Sequence, residues 1–76
     1  MNKIDYGLYK KQFDALYKLL PFEVRYSRMM IINALRPKMD LWCRKYYKTV
    51  YNPKEYGAFQ KDMTACFNRA LDEIIE

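Results

Sequence analysis

Residues 52–74, NPKEYGAFQKDMTACFNRALDEI, carry the strongest helix signal in the chain. Asn52, Pro53 and Glu55 occupy the N-cap, N1 and N3 positions of a capping box in which Asn replaces the usual Ser or Thr. The apolar residues that follow recur mostly at intervals of three and four, which places them on one face of an α-helix. They are Tyr56, Phe59, Met63, Cys66, Phe67, Ala70, Leu71 and Ile74. This stretch therefore predicts a long amphipathic helix that starts just after Asn52.

The N-terminal segment shows the same periodicity. Its apolar stripe consists of Tyr6, Tyr9, Phe13, Leu16, Tyr17 and Leu20. We expect Asn2 or Asp5 to cap this helix at its start. We expect Pro21 to end it, because proline lacks an amide hydrogen and clashes with the preceding turn.

Pro37 divides the middle of the chain into two further helical segments, Phe22 to Arg36 and Lys38 to about Tyr51. The conformational restriction on a residue that precedes proline favours a turn at Arg36 over one long bent helix. No segment alternates with the period of two that is typical of a strand. The sequence thus predicts an all-α protein, a compact four-helix bundle, or three helices if the middle pair is continuous through Pro37.

The length and composition of the chain indicate a single small domain and argue against a membrane-spanning or secreted protein. Seventy-six residues suit one helical domain over 1–76, since domains seldom have fewer than ~50 residues. The longest apolar run, residues 29–32, is far shorter than the roughly 20 residues that cross a bilayer, and the N-terminus has no apolar region typical of a signal peptide. We therefore expect a cytoplasmic protein in which Cys43 and Cys66 are structural thiols, with a disulfide between them as the alternative.

Catalytic chemistry has few candidates in this sequence. Histidine, the commonest general base, is absent. The only serine, Ser27, lies between Tyr26 and Arg28 without a partner to activate it, and no glycine-rich loop is present to hold a phosphate. We predict that the protein is not an enzyme and that it uses no metal and no cofactor.

The charge is concentrated in the middle of the chain. The net charge is +5, but residues 25–54 contain eight Lys/Arg and one carboxylate, Asp40, giving +7. Residues 61–76 contain two bases and four acids. Such asymmetry indicates an anionic partner. The predicted phosphate contacts are Arg25, Arg28, Lys38, Arg44, Lys45 and Lys48, and the rings predicted to stack on exposed bases are Tyr47 and Tyr51.

These features favour a non-enzymatic nucleic-acid-binding protein with a regulatory or antagonist role, directed mainly at the phosphates of RNA or single-stranded DNA. A helix-turn-helix around Arg36-Pro37-Lys38 is a weaker interpretation, because that turn lacks the usual small residue. The alternative function is a protein-binding inhibitor or adaptor, or a homodimer, that uses an aromatic and basic helical surface.

In size and composition the chain resembles the small helical proteins that bacteriophages encode, which are short, histidine-poor and rich in Lys, Tyr, Asn and Ile. The resemblance covers no motif and transfers no residue. It implies a protein that works in the host cytoplasm by binding nucleic acid or a host enzyme.

Overall fold

The computed structural model describes residues 4–48 and 53–75, which form three α-helices and one short 3₁₀ helix. The α-helices are α1 (Tyr6–Lys18), α2 (Arg28–Tyr47) and α3 (Pro53–Ile75), and the 3₁₀ helix (Phe22–Tyr26) lies between α1 and α2. No strand occurs in these two ranges. The all-helical prediction is confirmed.

Helix α1 begins at the second of the two predicted caps. The Asp5 carboxylate accepts the Leu8 amide hydrogen at 3.3 Å, which satisfies one of the free donors of the first turn. The helix ends at Lys18, earlier than Pro21, and the Leu19 amide closes the last turn on a carbonyl of α1. Pro53 is the first residue of α3, as predicted, whereas its expected cap, Asn52, lies outside the described residues.

The expected break at Pro37 is wrong, and the three-helix alternative fits the structure. Helix α2 runs without interruption through Pro37, which is exposed on its outward side. The hydrogen bond that proline cannot make would have ended on the carbonyl of Asn33, also an exposed residue, so water can replace it. Four buried side chains spaced four residues apart span the proline and hold both halves of α2 against the core: Ile31, Leu35, Met39 and Cys43.

The start of α2 also differs from the expectation of one helix from Phe22 to Arg36. The chain first forms the 3₁₀ helix, passes through Ser27 in an extended conformation, and then enters α2. The Ser27 hydroxyl accepts the Met30 amide hydrogen at 3.3 Å. Ser27, the only serine of the chain, is therefore the N-cap of α2.

The core lies between the three α-helices and is built from the predicted stripes. Its fully buried rings include Phe13 of α1 and Phe67 of α3, which meet edge to face with centroids 5.6 Å apart. Cys43 and Cys66 are both buried and free, as structural thiols would be. The stripes predicted for α1 and α3, apart from the exposed Tyr56, are thus used for folding together with the buried residues of α2.

Hydrogen bonds tie the N-terminal segment to the other two helices. The Ile4 amide donates to Asp62 of α3 at 2.9 Å, and the Asp5 amide donates to the hydroxyl of Tyr47 at the end of α2 at 3.0 Å. The Tyr6 hydroxyl donates to Glu73 near the end of α3 at 2.7 Å. Two of these bonds fix the start of α1 against α3, and the bond to Tyr47 fixes it against the end of α2, the helix half in which most of the predicted contact residues lie.

Candidate nucleic-acid interface

The second half of α2 carries four exposed cations, which we call the basic face: Lys38, Arg44, Lys45 and Lys48. Lys38 and Lys45 are seven residues apart, or about 10 Å along the helix on nearly the same side. Arg44 is adjacent to Lys45, and Lys48 follows as the C-cap of α2. The buried stripe points inward, so these four side chains are left on the outer surface.

The basic face keeps its positive charge because the acids pair elsewhere. Within residues 4–48 and 53–75, no carboxylate forms an ion pair with any of its four members. The ion pairs that the same ranges contain are Lys10–Asp14, Lys10–Glu73, Arg28–Asp72, Arg36–Asp40 and Arg69–Glu73, with nitrogen–oxygen distances between 2.9 and 3.9 Å. They neutralise part of the charge on α1, on α3 and on α2. Residues 38–48 contain four cations and one carboxylate, Asp40, so this short stretch carries a local net charge of +3.

Two members of the basic face have a fixed backbone or side-chain geometry. The Arg44 guanidinium donates to the Tyr56 hydroxyl of α3 at 3.0 Å and lies 5.9 Å from the centre of that ring. Lys48 has a left-handed backbone with φ 48°, a conformation that a residue with a Cβ seldom adopts and that ends α2 abruptly. The contact with Tyr56 therefore fixes the orientation of the Arg44 side chain, and Lys48 lies at the end of α2 as its exposed C-cap.

Arg25 and Arg28, also predicted as phosphate contacts, lie at the other end of α2. Arg28 is about 25 Å from Lys45 along the helix axis. Arg25 donates to the carbonyl of Lys18 at 2.7 Å and lies 5.2 Å from the centre of the Tyr17 ring, so it holds the 3₁₀ helix against α1. Arg28 forms an ion pair with Asp72 at 3.0 Å. The structure does not bring these arginines together with the basic face.

Tyr47, predicted as a stacking ring, faces the interior. Its side chain is half-buried between Trp42, Tyr46 and Phe59, with ring centroids 5.0 to 6.5 Å away. Its hydroxyl accepts the Asp5 amide hydrogen, and burial raises its pKa above the usual value. Tyr51, the other predicted stacking ring, lies outside the described residues.

Tyr46, which is not among the predicted site residues, is the tyrosine that faces outward. It is 54% exposed, and it stacks on Trp42 with centroids 5.2 Å apart and planes 18° from parallel. The register of the buried stripe separates the two tyrosines. Extending the buried positions Leu35, Met39 and Cys43 by four residues leads to Tyr47, whereas sequence spacing alone also allows Tyr46, three residues after Cys43, on the same face.

The continuity of α2 also removes the basis for the helix-turn-helix interpretation. That motif needs two helices joined by a short turn. Pro37 lies inside one helix of 20 residues, so the described chain has no turn at that point. A recognition helix beginning at Lys38 is therefore not part of this structure.

The cysteines are poor nucleophiles in this environment. Burial raises the pKa of the Cys43 thiol to about 12 and that of Cys66 to about 11, so both are protonated at neutral pH. In the part of the chain that the structure describes, no group of three metal-ligating side chains comes together. These residues offer neither an activated thiol nor a metal-binding cluster.

A second surface feature lies where α1 joins α2. Its exposed apolar side chains, here called the apolar cluster, are Leu19, Phe22, Tyr26, Met29 and Met30. Phe22 and Tyr26 meet edge to face with centroids 5.0 Å apart, yet they remain 66% and 76% exposed. Exposed apolar side chains grouped in this way are typical of contact sites for other molecules.

Among the residues that the structure describes, none of the helices is both long enough and apolar enough to cross a membrane. No protein-family model, curated protein or solved structure matches this chain. Its function has to be inferred from the arrangement of its own side chains.

Proposed function

We propose that this protein binds nucleic acid through the basic face of α2. The observation that supports the proposal most strongly is the clustering of unpaired cations. The four cations of the basic face lie within residues 38–48 and have no acid partner among the described residues, whereas other cations without an ion pair, such as Lys11 and Lys61, lie apart on α1 and α3. Unpaired cations on one side of a helix are suited to phosphates, because each contact releases a condensed counterion.

The number of cations sets the salt dependence that we expect. Four phosphate contacts on a single strand give a slope of log K against log salt of about −2.8, and the same contacts on B-form DNA give about −3.6. Arg44 contributes a planar guanidinium suited to bidentate phosphate contact, and the lysines contribute flexible point charges. Binding is thus expected to be phosphate-directed and tolerant of sequence.

Fluorescence anisotropy with labelled single-stranded RNA, single-stranded DNA and duplex DNA, each across a salt series, tests this proposal. In the double variant Lys45→Gln/Lys48→Gln we expect the single-strand slope to fall to about −1.4, because two of four contacts are lost. The matched control is Lys11→Gln/Lys61→Gln, which removes the same charge from exposed positions on α1 and α3. Equal weakening by both double variants, or a flat salt dependence of the unsubstituted protein, would refute the basic face as the binding surface.

The apolar cluster supports a second candidate function, a protein-binding inhibitor or adaptor. Phe22 and Tyr26 are the types of side chain that anchor protein interfaces, and no described residue covers them. A Phe22→Ser/Met29→Ser variant separates the two functions, because it leaves the basic face intact. Under the nucleic-acid proposal its affinity for RNA and DNA is unchanged. Sedimentation of this variant and of the unsubstituted protein over a range of concentrations shows whether a second copy of the chain occupies the cluster.

A further inference from the structure

Beside the basic face, the stacked rings of Tyr46 and Trp42 are supported by two further aromatic rings. Trp42 is half-buried, and its indole meets Tyr9 and Tyr47 edge to face at 6.4 and 6.5 Å. Tyr46 lies on the Trp42 ring with nearly parallel planes, and the rings of Tyr46 and Tyr47 meet edge to face with centroids 5.0 Å apart. Tyr46 is thus supported by a packed layer while the residue as a whole stays 54% exposed. A flat aromatic surface in a fixed orientation loses little conformational freedom when another ring stacks on it.

Unpaired cations lie next to this stack. Lys38 precedes Trp42 by four residues and Lys45 follows it by three, so both are its neighbours on the helix surface. Both lysines are exposed, and neither has an acid partner in the described ranges. The one carboxylate in this half of α2 is Asp40, which is half-buried and lies 3.6 Å from Arg36. The open ring and the positive charge therefore occupy the same side of the molecule.

We propose that Tyr46, backed by Trp42, is a stacking platform for an unpaired base, so that the ligand of this protein is a single-stranded nucleic acid. The proposal rests on the proposed function and specifies its substrate class. A base in a single strand can present its face to an aromatic ring while the neighbouring phosphates reach Lys38 and Lys45. The bases of a duplex are already stacked on each other, so a duplex can use only the cations. The arrangement thus predicts a preference for single strands that comes from Tyr46 alone.

The test compares oligothymidylate with the oligothymidylate–oligodeoxyadenylate duplex by anisotropy, for the unsubstituted protein and three variants. Tyr46→Leu is expected to weaken single-strand binding by about 5- to 160-fold without changing the salt slope, because the ring is lost and the phosphate contacts stay. Its duplex affinity is expected to stay the same. Tyr46→Phe retains the ring and is expected to bind as tightly as the unsubstituted protein. The matched control, Tyr26→Leu, removes another exposed tyrosine, which belongs to the 3₁₀ helix that precedes α2, and is expected to have no effect.

Trp42 provides a readout that needs no substitution. It is the only tryptophan in the chain, so its emission reports the environment of the stack. Binding of oligothymidylate is expected to quench or shift that emission, whereas duplex binding is not. If binding depends on salt, but Tyr46→Leu does not change the single-strand affinity and the Trp42 emission does not change on binding, the stacking platform is overturned and phosphate binding remains supported. Failure to bind any of these nucleic acids at low salt would overturn both proposals.

Discussion

Replacing Tyr47 with Phe tests whether Tyr47, and not its neighbour Tyr46, holds the start of α1. The substitution removes only the hydroxyl, which accepts the Asp5 amide hydrogen at 3.0 Å, and leaves the ring in its contacts with Trp42 and Phe59. A hydrogen bond of this kind contributes about 0.5–1.5 kcal/mol. Because this one lies at the protein surface, where water can replace it, we expect a loss of about 0.5–1 kcal/mol. In a domain of this size, such a loss lowers Tm by about 2–8 °C.

Two measurements check this result. Urea unfolding followed by circular dichroism gives the change in the free energy of unfolding, and amide hydrogen exchange reports the Asp5 amide directly. Tyr46→Phe is the matched control, since it makes the same chemical change one residue away on an exposed ring and is expected to cost less than about 0.5 kcal/mol. If Tyr46→Phe were the more destabilising of the two, or if Asp5 exchange were unchanged in Tyr47→Phe, the assignment of Tyr47 to the interior would be wrong.

Four other substitutions or measurements address the core and α2. Tyr9→Phe is expected to raise the free energy of unfolding by about 1 kcal/mol in urea titrations, because the Tyr9 hydroxyl is buried without a hydrogen-bond partner among the described residues. Pro37→Ala is expected to raise it by about 1–3 kcal/mol, since it restores a helix hydrogen bond at an exposed position; a loss of stability would show that the proline is needed for the shape of α2. Trp42→Ala is expected to lower it by about 2–4 kcal/mol, somewhat less than for a fully buried ring, and full stability would mean that its ring contacts contribute nothing. Cys43 and Cys66 are expected to react with a thiol reagent at neutral pH far more slowly in the folded than in the urea-unfolded protein. Because folding raises both pKa values above 9.0, the stability that they contribute is present below pH 9 and declines as the pH rises beyond it.

The helix periodicity of this sequence was sufficient to predict its fold class, and the outcome at Pro37 shows what periodicity misses. A local rule about the residue before proline favoured a turn, but burial of Leu35 and Met39 on either side of the proline outweighs the cost of about 3 kcal/mol that proline brings to a helix. The rule for one peptide unit carries no information about the residues one turn away. An unbroken stripe of buried residues with a spacing of four is the signal that would have favoured one helix.

The candidate site was predictable in its charge and less so in its geometry. The basic character of residues 38–48 followed from composition, but the loss of Arg25 and Arg28 to intramolecular contacts did not. Arg28 and Asp72 are distant in sequence, and only the packing of α2 against α3 brings them together, whereas Arg25 contacts Lys18 and Tyr17 because the 3₁₀ helix folds back on the end of α1. Periodicity within one helix also assigns Tyr46 and Tyr47 to different sides only when the register of the buried stripe is known.

The bonds that tie the start of α1 to the rest of the molecule have a consequence for synthesis on the ribosome. The Ile4 amide meets a residue 58 positions later, and the Tyr6 hydroxyl meets one 67 positions later. At ~5–20 residues per second, the ribosome needs about 3–13 s to make the residues between Tyr6 and Glu73. During that interval α1 has no complete docking surface, and its apolar stripe is open to chaperones and proteases. This chain is therefore expected to fold after translation of α3 is finished, and a stop codon placed before α3 would leave a product that the cell degrades.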